Sequence, residues 1–298
     1  LNGAECEPYL SADHRLMLEH ADQIISGARI IQKVLGIERV MIGIEDNKPD
    51  AVEAMRKACE KYAEFSVTAL KTKYPQGGEK QLVYALTGRT VKMGGLPLDV
   101  GAVVCNVGTC HALCRAAYEG RPIVDRVVTV GGCVQNPANY LVRIGTPVEW
   151  LLDTSKGLLP ETKMLIYGGP MMGMAQYTAD ISVAKGTGAI LAFCENEEKT
   201  VENPQCIRCG KCVSVCPMHL EPLFMYQYAS KGMVEELNDA HIMDCMECGA
   251  CSYICPARMH LTHMFKTGKQ LVKDKAAADR AAAEAKKKAE EAKEAAAK

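Results

Sequence analysis

The chain has 298 residues, of which 48% are hydrophobic and 24% are charged. That length predicts about two domains of ~150 residues each. The 35 Lys and Arg residues balance the 36 Asp and Glu residues, so net charge does not favour binding to nucleic acid or to an anionic membrane surface. No uncharged apolar run reaches the ~20 residues that a transmembrane helix needs. Any membrane association is therefore expected to come through a partner.

The first half of the chain alternates helical and strand patterns. Helices are expected over 12–35, from Pro49 to about Tyr62 and over 109–118, and strands over 39–44, 66–70 and 101–106. This alternation predicts an α/β layer with a largely parallel sheet. Because Leu1 is not a methionine and the first residues resemble the end of a strand, we expect the chain to be a fragment that lacks an N-terminal part.

A smaller β-rich insert follows the α/β layer. Strands are expected over 126–130, 140–144 and 164–167, with a short helix over 146–153. We interpret this insert as a β-grasp-like module. Beyond the cysteine-rich block, residues 270–298 contain 12 Ala, no Gly and no Pro. This composition favours a helix but offers almost no apolar face, so we expect a solvated, partly helical extension.

Fifteen cysteines are the most informative feature of the composition, and eight of them lie between Cys206 and Cys255. An odd, clustered set in a long chain indicates metal binding in a reducing compartment rather than a secreted disulfide scaffold. Cys110 and Cys114 are expected to be buried thiols on one helix, in preference to a metal site with His111. The remaining cysteines are expected to be core or loop thiols: Cys6, Cys59, Cys105, Cys133 and Cys194.

The clustered cysteines form two runs of the pattern C-x2-C-x2-C-x3-C-P. In two-cluster ferredoxins the fourth cysteine of each run ligates the other cluster. One [4Fe–4S] cluster is therefore assigned to Cys206, Cys209, Cys212 and Cys255, and the second to Cys245, Cys248, Cys251 and Cys216. The alternative is a pair of structural four-cysteine zinc sites, which usually show two separated C-x2-C knuckles.

The α/β layer contains neither a G-x-G-x-x-G motif that opens a helix after a strand nor a Walker A loop. Three shorter segments have the composition of binding loops: 2–8 (NGAECEP), 74–79 (YPQGGE) and 105–109 (CNVGT). Glycines allow a backbone to approach a ligand closely, and helix N-termini bind phosphate groups. Each segment taken alone is also explained by ordinary turn and cap chemistry.

Together these segments resemble the C subunit of the Rnf electron-transport complexes and, more distantly, the flavin-bearing NADH-oxidising subunit of respiratory complex I. The resemblance extends to about Lys269. Its other carriers are Tyr167-Gly-Gly-Pro-Met-Met-Gly173, Lys185-Gly-Thr-Gly188 and the two cysteine runs in that order. Two features depart from the pattern. The family's glycine-rich flavin loop is absent, and Gly78 stands where the complex I protein has an acid.

The resemblance implies an α/β flavin-binding domain with a β-grasp (SLBB-like) insert, followed by an α-helical two-[4Fe–4S] ferredoxin-type domain. The expected boundaries are 1–121 for the FMN/NADH domain, 122–200 for the insert and its Gly-rich return, 201–268 for the cluster domain and 269–298 for the tail. The resemblance also implies that Asn2, Asn106 and Thr109 line a non-covalent FMN site and that Glu7 and Glu79 face NAD(H). Glu5 is similar to the family's other acidic loop residue.

The function implied is electron transfer between NAD(H), FMN and two clusters, in a membrane-associated, ion-translocating ferredoxin:NAD oxidoreductase. Its partners would be the other subunits, with ferredoxin reached indirectly, and its place the cytoplasmic face of the membrane. Two alternatives stay open besides the zinc scaffold. One is a cobalamin-reductase-like flavin and iron–sulfur protein, and the other is a non-enzymatic relay and docking subunit.

Overall fold

A computed structural model describes residues 1–194, 201 and 203–297, with side chains as far as residue 289. The chain divides into two compact units, 1–199 and 200–298. The expected end of the insert at residue 200 and the last residue of the tail lie outside the described residues.

A three-stranded parallel sheet organises the first part of the first unit. Its strands are β1 (Asn2–Gly3), β2 (Val40–Glu45) and β3 (Phe65–Leu70), in that order across the sheet. The strand predicted over 101–106 is wrong: a 3-10 helix spans Pro97–Val100, and only Asn106 forms a bridge, to Asn2. The two-residue length of β1 leaves little edge for a longer strand to pair with.

Five helices surround this sheet. They are α1 (Ala12–Glu19), α2 (Ala21–Leu35), α3 (Pro49–Cys59), α4 (Glu79–Thr87) and α5 (Val107–Glu119). The single helix predicted over 12–35 is two helices, because the chain leaves helical geometry at His20, where φ is −134° and ψ is 30°. Apolar side chains of α1, α2, α3 and α5 form one core with β2, in which Ile24, Ile42 and Met55 are fully buried.

The insert is a five-stranded mixed sheet with one helix. Its elements are β4 (Asp125–Gly132), β5 (Ala138–Arg143), α6 (Val148–Thr154), β6 (Thr162–Tyr167), β7 (Met174–Gln176) and β8 (Ala189–Cys194). The spatial order is β5-β4-β8-β6-β7, with β4 and β8 parallel and the other neighbours antiparallel. Leu151 and Leu152 of α6 pack with Val128 and Val130 of β4 in a second core. This sheet-and-helix layer agrees with the predicted β-grasp-like module.

For two cysteines of the insert, the prediction of a core or loop thiol is wrong. Cys133 and Cys194 form a disulfide, with their Cα atoms 6.0 Å apart and a sequence separation of 61. Parallel pairing of Gly132 with Ala192 brings the ends of β4 and β8 together. The composition could not reveal this pair, because the pairing of β4 with β8 is a long-range contact.

The second unit is helical. Its helices are α7 (Lys211–Ser214), α8 (Pro222–Ser230), α9 (Val234–Asp239), α10 (Ala250–Ile254) and α11 (Leu261–Ala297). Met225, Leu237, Ile242 and Phe265 are fully buried in its core. The tail continues α11, and its side chains are exposed from residue 273 to residue 289, as expected for a solvated extension. Within the described part of the chain, every helix is too short or too polar to cross a membrane.

Candidate functional site

The carboxyl ends of β1, β2 and β3 place three loops at one edge of the parallel sheet. These loops contain the segments 4–8, 46–48 and 71–78. Ligands of open α/β sheets bind outside this edge, because the loops that follow the strands leave a crevice there. Two of the three segments with the composition of binding loops therefore meet at the edge where a nucleotide is expected, and Asn106 joins them through its bridge to Asn2.

The Asn2 side chain fastens two of these loops together. Its amide nitrogen donates to the Gly77 carbonyl at 2.9 Å, and its amide oxygen accepts from the Ala4 N–H at 3.1 Å. A Cβ on Gly77 would lie 2.1 Å from the Ala4 carbonyl oxygen, so only glycine permits this approach. The Asn2 side chain thus shapes the site by holding the backbones of the 4–8 and 71–78 loops together.

The Glu5 carboxylate accepts the Glu7 N–H at 2.9 Å and is half-buried. The pKa of Glu5 is raised to about 7, mainly by burial; the neighbouring acids Asp13 and Glu7 also raise it, while the bond from the Glu7 N–H and the charge of Lys48 lower it. A carboxyl group with a pKa near neutrality can take up or release a proton under physiological conditions.

Glu7 binds the glycine-rich loop after β6. Its two carboxylate oxygens accept the N–H groups of Met171 and Met172 at 3.0 and 2.8 Å. Burial raises the pKa of Glu7, and these two hydrogen bonds lower it. The structure thus joins two segments that carried the resemblance, 2–8 and 167–173, through one side chain.

A buried ion pair lies against the loop of residues 4–8. The Lys48 ammonium contacts the Glu45 carboxylate at 3.0 Å, the Asn47 side-chain oxygen at 3.2 Å and the Glu5 carbonyl at 3.3 Å. Glu45 and Lys48 are only 2% and 9% exposed. Sequence reasoning missed this pair, although its position directly after β2 at the carboxyl edge was an available signal.

The N-terminus of α5 carries Asn106 and Thr109, both exposed. Asn106 is the N-cap: its oxygen accepts the Gly108 N–H at 2.7 Å, and its nitrogen donates to Asp13 at 2.7 Å. Burial raises the pKa of Asp13, and the bond from Asn106 lowers it. Asn106 and Thr109 line a cavity that Arg126 and Lys185 also line.

The remaining predicted site residue of the first unit, Glu79, is exposed at the first position of α4. It follows the Gly77–Gly78 turn that Asn2 binds. On α5, Cys110 and Cys114 are buried as predicted. His111 lies between them in sequence and contacts the Gln23 side chain at 2.9 Å.

Two cavities of the second unit are each lined by four cysteines. One is lined by Cys206, Cys209, Cys212 and Cys255 and is called the exposed cavity, because Cys206 and Cys209 are exposed to solvent. The other is lined by Cys216, Cys245, Cys248 and Cys251 and is called the buried cavity, because Cys248 and Cys251 are buried. Each set takes three cysteines from one run and the fourth from the other, which is the crossed arrangement of a two-cluster ferredoxin.

The surroundings of both cavities suit clusters of thiolates. Backbone N–H groups point at three of the sulfurs: Arg208 to Cys206 at 3.3 Å, Leu220 to Cys216 at 3.3 Å and Glu247 to Cys245 at 3.4 Å. Burial raises the pKa of Cys245 to about 11 and that of Cys251 to about 12. Thiolates in this environment need a bound cation, which iron would supply.

The grouping of these cysteines differs from that of a single-ion site. Structural zinc sites usually take their sulfurs from two separate C-x2-C knuckles. Here each set combines three cysteines of one run with the last cysteine of the other. That grouping favours a polynuclear cluster over zinc.

Three family models match the chain in the order of these structural parts. The Nuo51 FMN-binding domain matches residues 1–115, the SLBB domain matches residues 127–175, and the 4Fe-4S dicluster domain matches residues 198–256. These matches confirm the predicted fold class.

Curated relatives define the family more narrowly than these domain models do. The C subunit of the proton-translocating ferredoxin:NAD(+) oxidoreductase complex of Clostridium ljungdahlii is 49% identical over 81% of this chain and 53% of its own length. The C subunit of the Na(+)-translocating ferredoxin:NAD(+) oxidoreductase complex of Acetobacterium woodii is 45% identical over 82% of this chain and 55% of its own length. The chain belongs to this family of C subunits. It spans about half the length of these two family members.

A third member of the family is the C subunit of the ion-translocating oxidoreductase complex of Erwinia tasmaniensis, 42% identical over 82% of this chain and 31% of its own length. Among solved structures, a NAD+-reducing [NiFe]-hydrogenase has a TM-score of 0.55 at 16% identity. That match covers 90% of this chain and 46% of the hydrogenase chain. The likeness to the hydrogenase shows a shared fold.

Proposed function

We propose that this chain transfers electrons between NAD(H), a non-covalently bound FMN and two [4Fe–4S] clusters, as a component of an ion-translocating ferredoxin:NAD oxidoreductase. The observation that carries the proposal is the crossed pair of four-cysteine cavities. The matches to an FMN-binding domain and a dicluster domain support it, as do the names of the relatives.

In this proposal the eight cysteines of the two runs are the cluster ligands. [4Fe–4S] clusters accept and release single electrons. Because each run supplies a ligand to both cavities, the clusters are held close together in one unit. The N–H groups of Arg208, Leu220 and Glu247 stabilise the negative sulfurs. The protein thus contributes position and electrostatics rather than covalent chemistry.

The flavin would lie at the carboxyl edge of the parallel sheet. FMN bound there would supply the chemistry that takes a hydride from NADH and passes on the two electrons one at a time. Asn106 and Thr109, at the start of the 13-residue α5, would lie beside its anionic phosphate end, where the positive end of the helix dipole favours an anion. Arg126 and Lys185 line the same cavity and add positive charge. Asn2 would order the loop against which the flavin packs.

Two acidic residues would orient the nicotinamide nucleotide at this edge, and a third would exchange a proton there. Glu7 lies in a fixed position because both its oxygens are hydrogen-bonded. Glu79 is exposed beside the Gly77–Gly78 turn and can approach a ribose hydroxyl. Glu5, with its raised pKa, would hold or release a proton as charge accumulates nearby.

The named relatives are subunits of ion-translocating complexes. We infer that this chain associates with membrane subunits at the cytoplasmic face and exchanges electrons with ferredoxin through them.

The deciding experiment is anaerobic purification of the full-length protein, followed by quantification of iron, sulfide and flavin and by addition of NADH. We expect about eight irons and one FMN per chain, with NADH bleaching the cluster absorbance. The same iron content without flavin, and without reduction of the clusters by NADH, would indicate an iron–sulfur relay instead. Zinc in place of iron would overturn the proposal. Co-purification with membrane subunits would distinguish it from a cobalamin-reductase-like protein.

A further inference from the structure

The two cysteine runs form an internal repeat with nearly identical backbones. Each cysteine of the first run has its counterpart 39 residues later, from Cys206 and Cys245 onward. Arg208 and Glu247 are equivalent and share the left-handed region, with φ of 55° and 57°. Gly210 and Gly249 are likewise equivalent. Differences between the two cavities therefore come from side chains and from burial.

Charge breaks the symmetry of this repeat. The loop of the exposed cavity has the basic Arg208 where the loop of the buried cavity has the acidic Glu247. Glu247 has a partner from α11: the Lys269 ammonium contacts its carboxylate at 2.7 Å and the Cys245 carbonyl oxygen at 2.5 Å. In the first half of the repeat, the residue equivalent to Lys269 is the uncharged Ser230.

Close helix packing fixes the position of Lys269. A Cβ on the preceding Gly268 would lie 2.6 Å from the Ile242 side chain and 3.0 Å from that of Ala229. Glycine therefore lets α11 approach α8 and the turn that leads to Cys245. The Lys269 side chain is only 14% exposed. Such a side chain exerts a more constant field than a mobile surface lysine.

Burial strengthens the effect of this charge. Cys248 and Cys251 of the buried cavity are 7% and 8% exposed, whereas Cys206 and Cys209 of the exposed cavity are exposed to solvent. Coulombic interactions weaken as the effective dielectric constant rises toward that of water. A charge beside the buried cavity thus acts on its cluster more strongly than Arg208 acts on the exposed one.

We propose that Lys269 tunes the buried cluster: its ammonium group favours the reduced state of that cluster and offsets the opposing charge of Glu247. This inference rests on the proposed cluster assignment. Reduction adds one electron to the cluster, supplied in the test by dithionite, and makes or breaks no covalent bond. The added negative charge is stabilised by the lysine and destabilised by the glutamate.

The test is anaerobic redox titration of the full-length protein, followed by electron paramagnetic resonance. Alanine variants of Cys255 and Cys216 assign the signals to the exposed and buried clusters. We expect Lys269→Met to lower the reduced-to-oxidised ratio of the buried cluster at fixed potential about tenfold, which is 59 mV for one electron. Glu247→Gln should raise that ratio, and the double variant should lie near the parent. Lys269→Arg should preserve it.

Two internal controls make the result specific. The exposed cluster should keep its potential in every variant, and Lys266→Met, at an exposed position of the same helix, should change neither cluster. If Lys269→Met loses the buried cluster, the potential of that cluster in Glu247→Gln tests the proposal instead. The Glu247→Gln variant keeps the bond from Lys269 to the Cys245 carbonyl. Two intact clusters with unchanged potentials would overturn only the proposed role of Lys269 and would leave the proposed function standing. A parent protein without two clusters would overturn the proposed function instead.

Discussion

Polar side chains have opposite roles at the sheet edge and at the cysteine cavities. At the sheet edge, Asn2, Glu7 and Asn106 bind the protein's own backbone or side chains. Around the cavities, two sets of four thiols face a common space. The first region uses its side chains to build the shape of a site, whereas the second presents two sets of four sulfurs to cavities. A substitution at the sheet edge should therefore affect stability first, and one at the cavities should affect cofactor content first.

The largest expected effect is on the iron content. Replacing Cys255 with alanine should remove the cluster of the exposed cavity, about half of the iron, although Cys255 belongs to the second run. Iron analysis and electron paramagnetic resonance measure this loss. Cys59→Ala, which removes a buried free thiol of the first unit, should leave the iron content unchanged. Loss of the other cluster would show that the ligands are not crossed.

The largest effect on stability is expected at the sheet edge. Lys48→Met leaves the Glu45 carboxylate, 2% exposed, without its cation. Breaking a buried pair in this way costs about 3–5 kcal/mol of unfolding free energy. Hydrogen exchange of the β2 amides measures it. The double variant with Glu45→Gln should lose less, because no uncompensated charge remains, and an equal loss would argue against the charge as the cause.

Glu5 should make the stability of the first unit depend on pH. Its folded pKa of about 7 exceeds the ordinary 4.5, so its stabilising contribution is complete below the ordinary value and is lost as the pH rises through 7. Glu5→Gln should abolish this loss and exceed the parent by up to ~3 kcal/mol above neutrality. Chemical unfolding at several pH values tests this. Glu38→Gln, at an exposed position, should give a curve parallel to the parent's, and parallel curves for Glu5→Gln would refute the assignment.

The smallest effect is expected at Asn106. Asn106→Ala removes the cap of α5 and the bond to Asp13, which should cost about 1 kcal/mol. Thermal unfolding would then shift by roughly 2–4 °C for a unit of this size. Asn106→Ser restores an acceptor for the Gly108 N–H and should recover part of the loss. Equal losses for alanine and serine would show that capping contributes little here.

Features that depend on short spacing were predictable from the amino-acid sequence. The two C-x2-C-x2-C-x3-C-P runs predicted which cysteines group together, and the crossed grouping matches the lining of the two cavities. Alternating helical and strand patterns predicted the parallel sheet. The composition of residues 270–298 predicted a solvated, partly helical extension, and residues 273–289 are an exposed helix. Residues within one loop or one helical turn are held together by chain connectivity, so their pattern already defines their geometry.

Contacts between distant residues, in contrast, became visible only in the folded chain. Lys48 with the Glu5 loop, Cys133 with Cys194, and Lys269 with Cys245 are each pairs far apart in sequence. Their contacts depend on how strands pair and how helices pack around apolar cores, since the burial of those cores fixes the positions of the elements. The spacing of charged residues along the chain contains no record of that packing, which is why no sequence pattern pointed to Lys269.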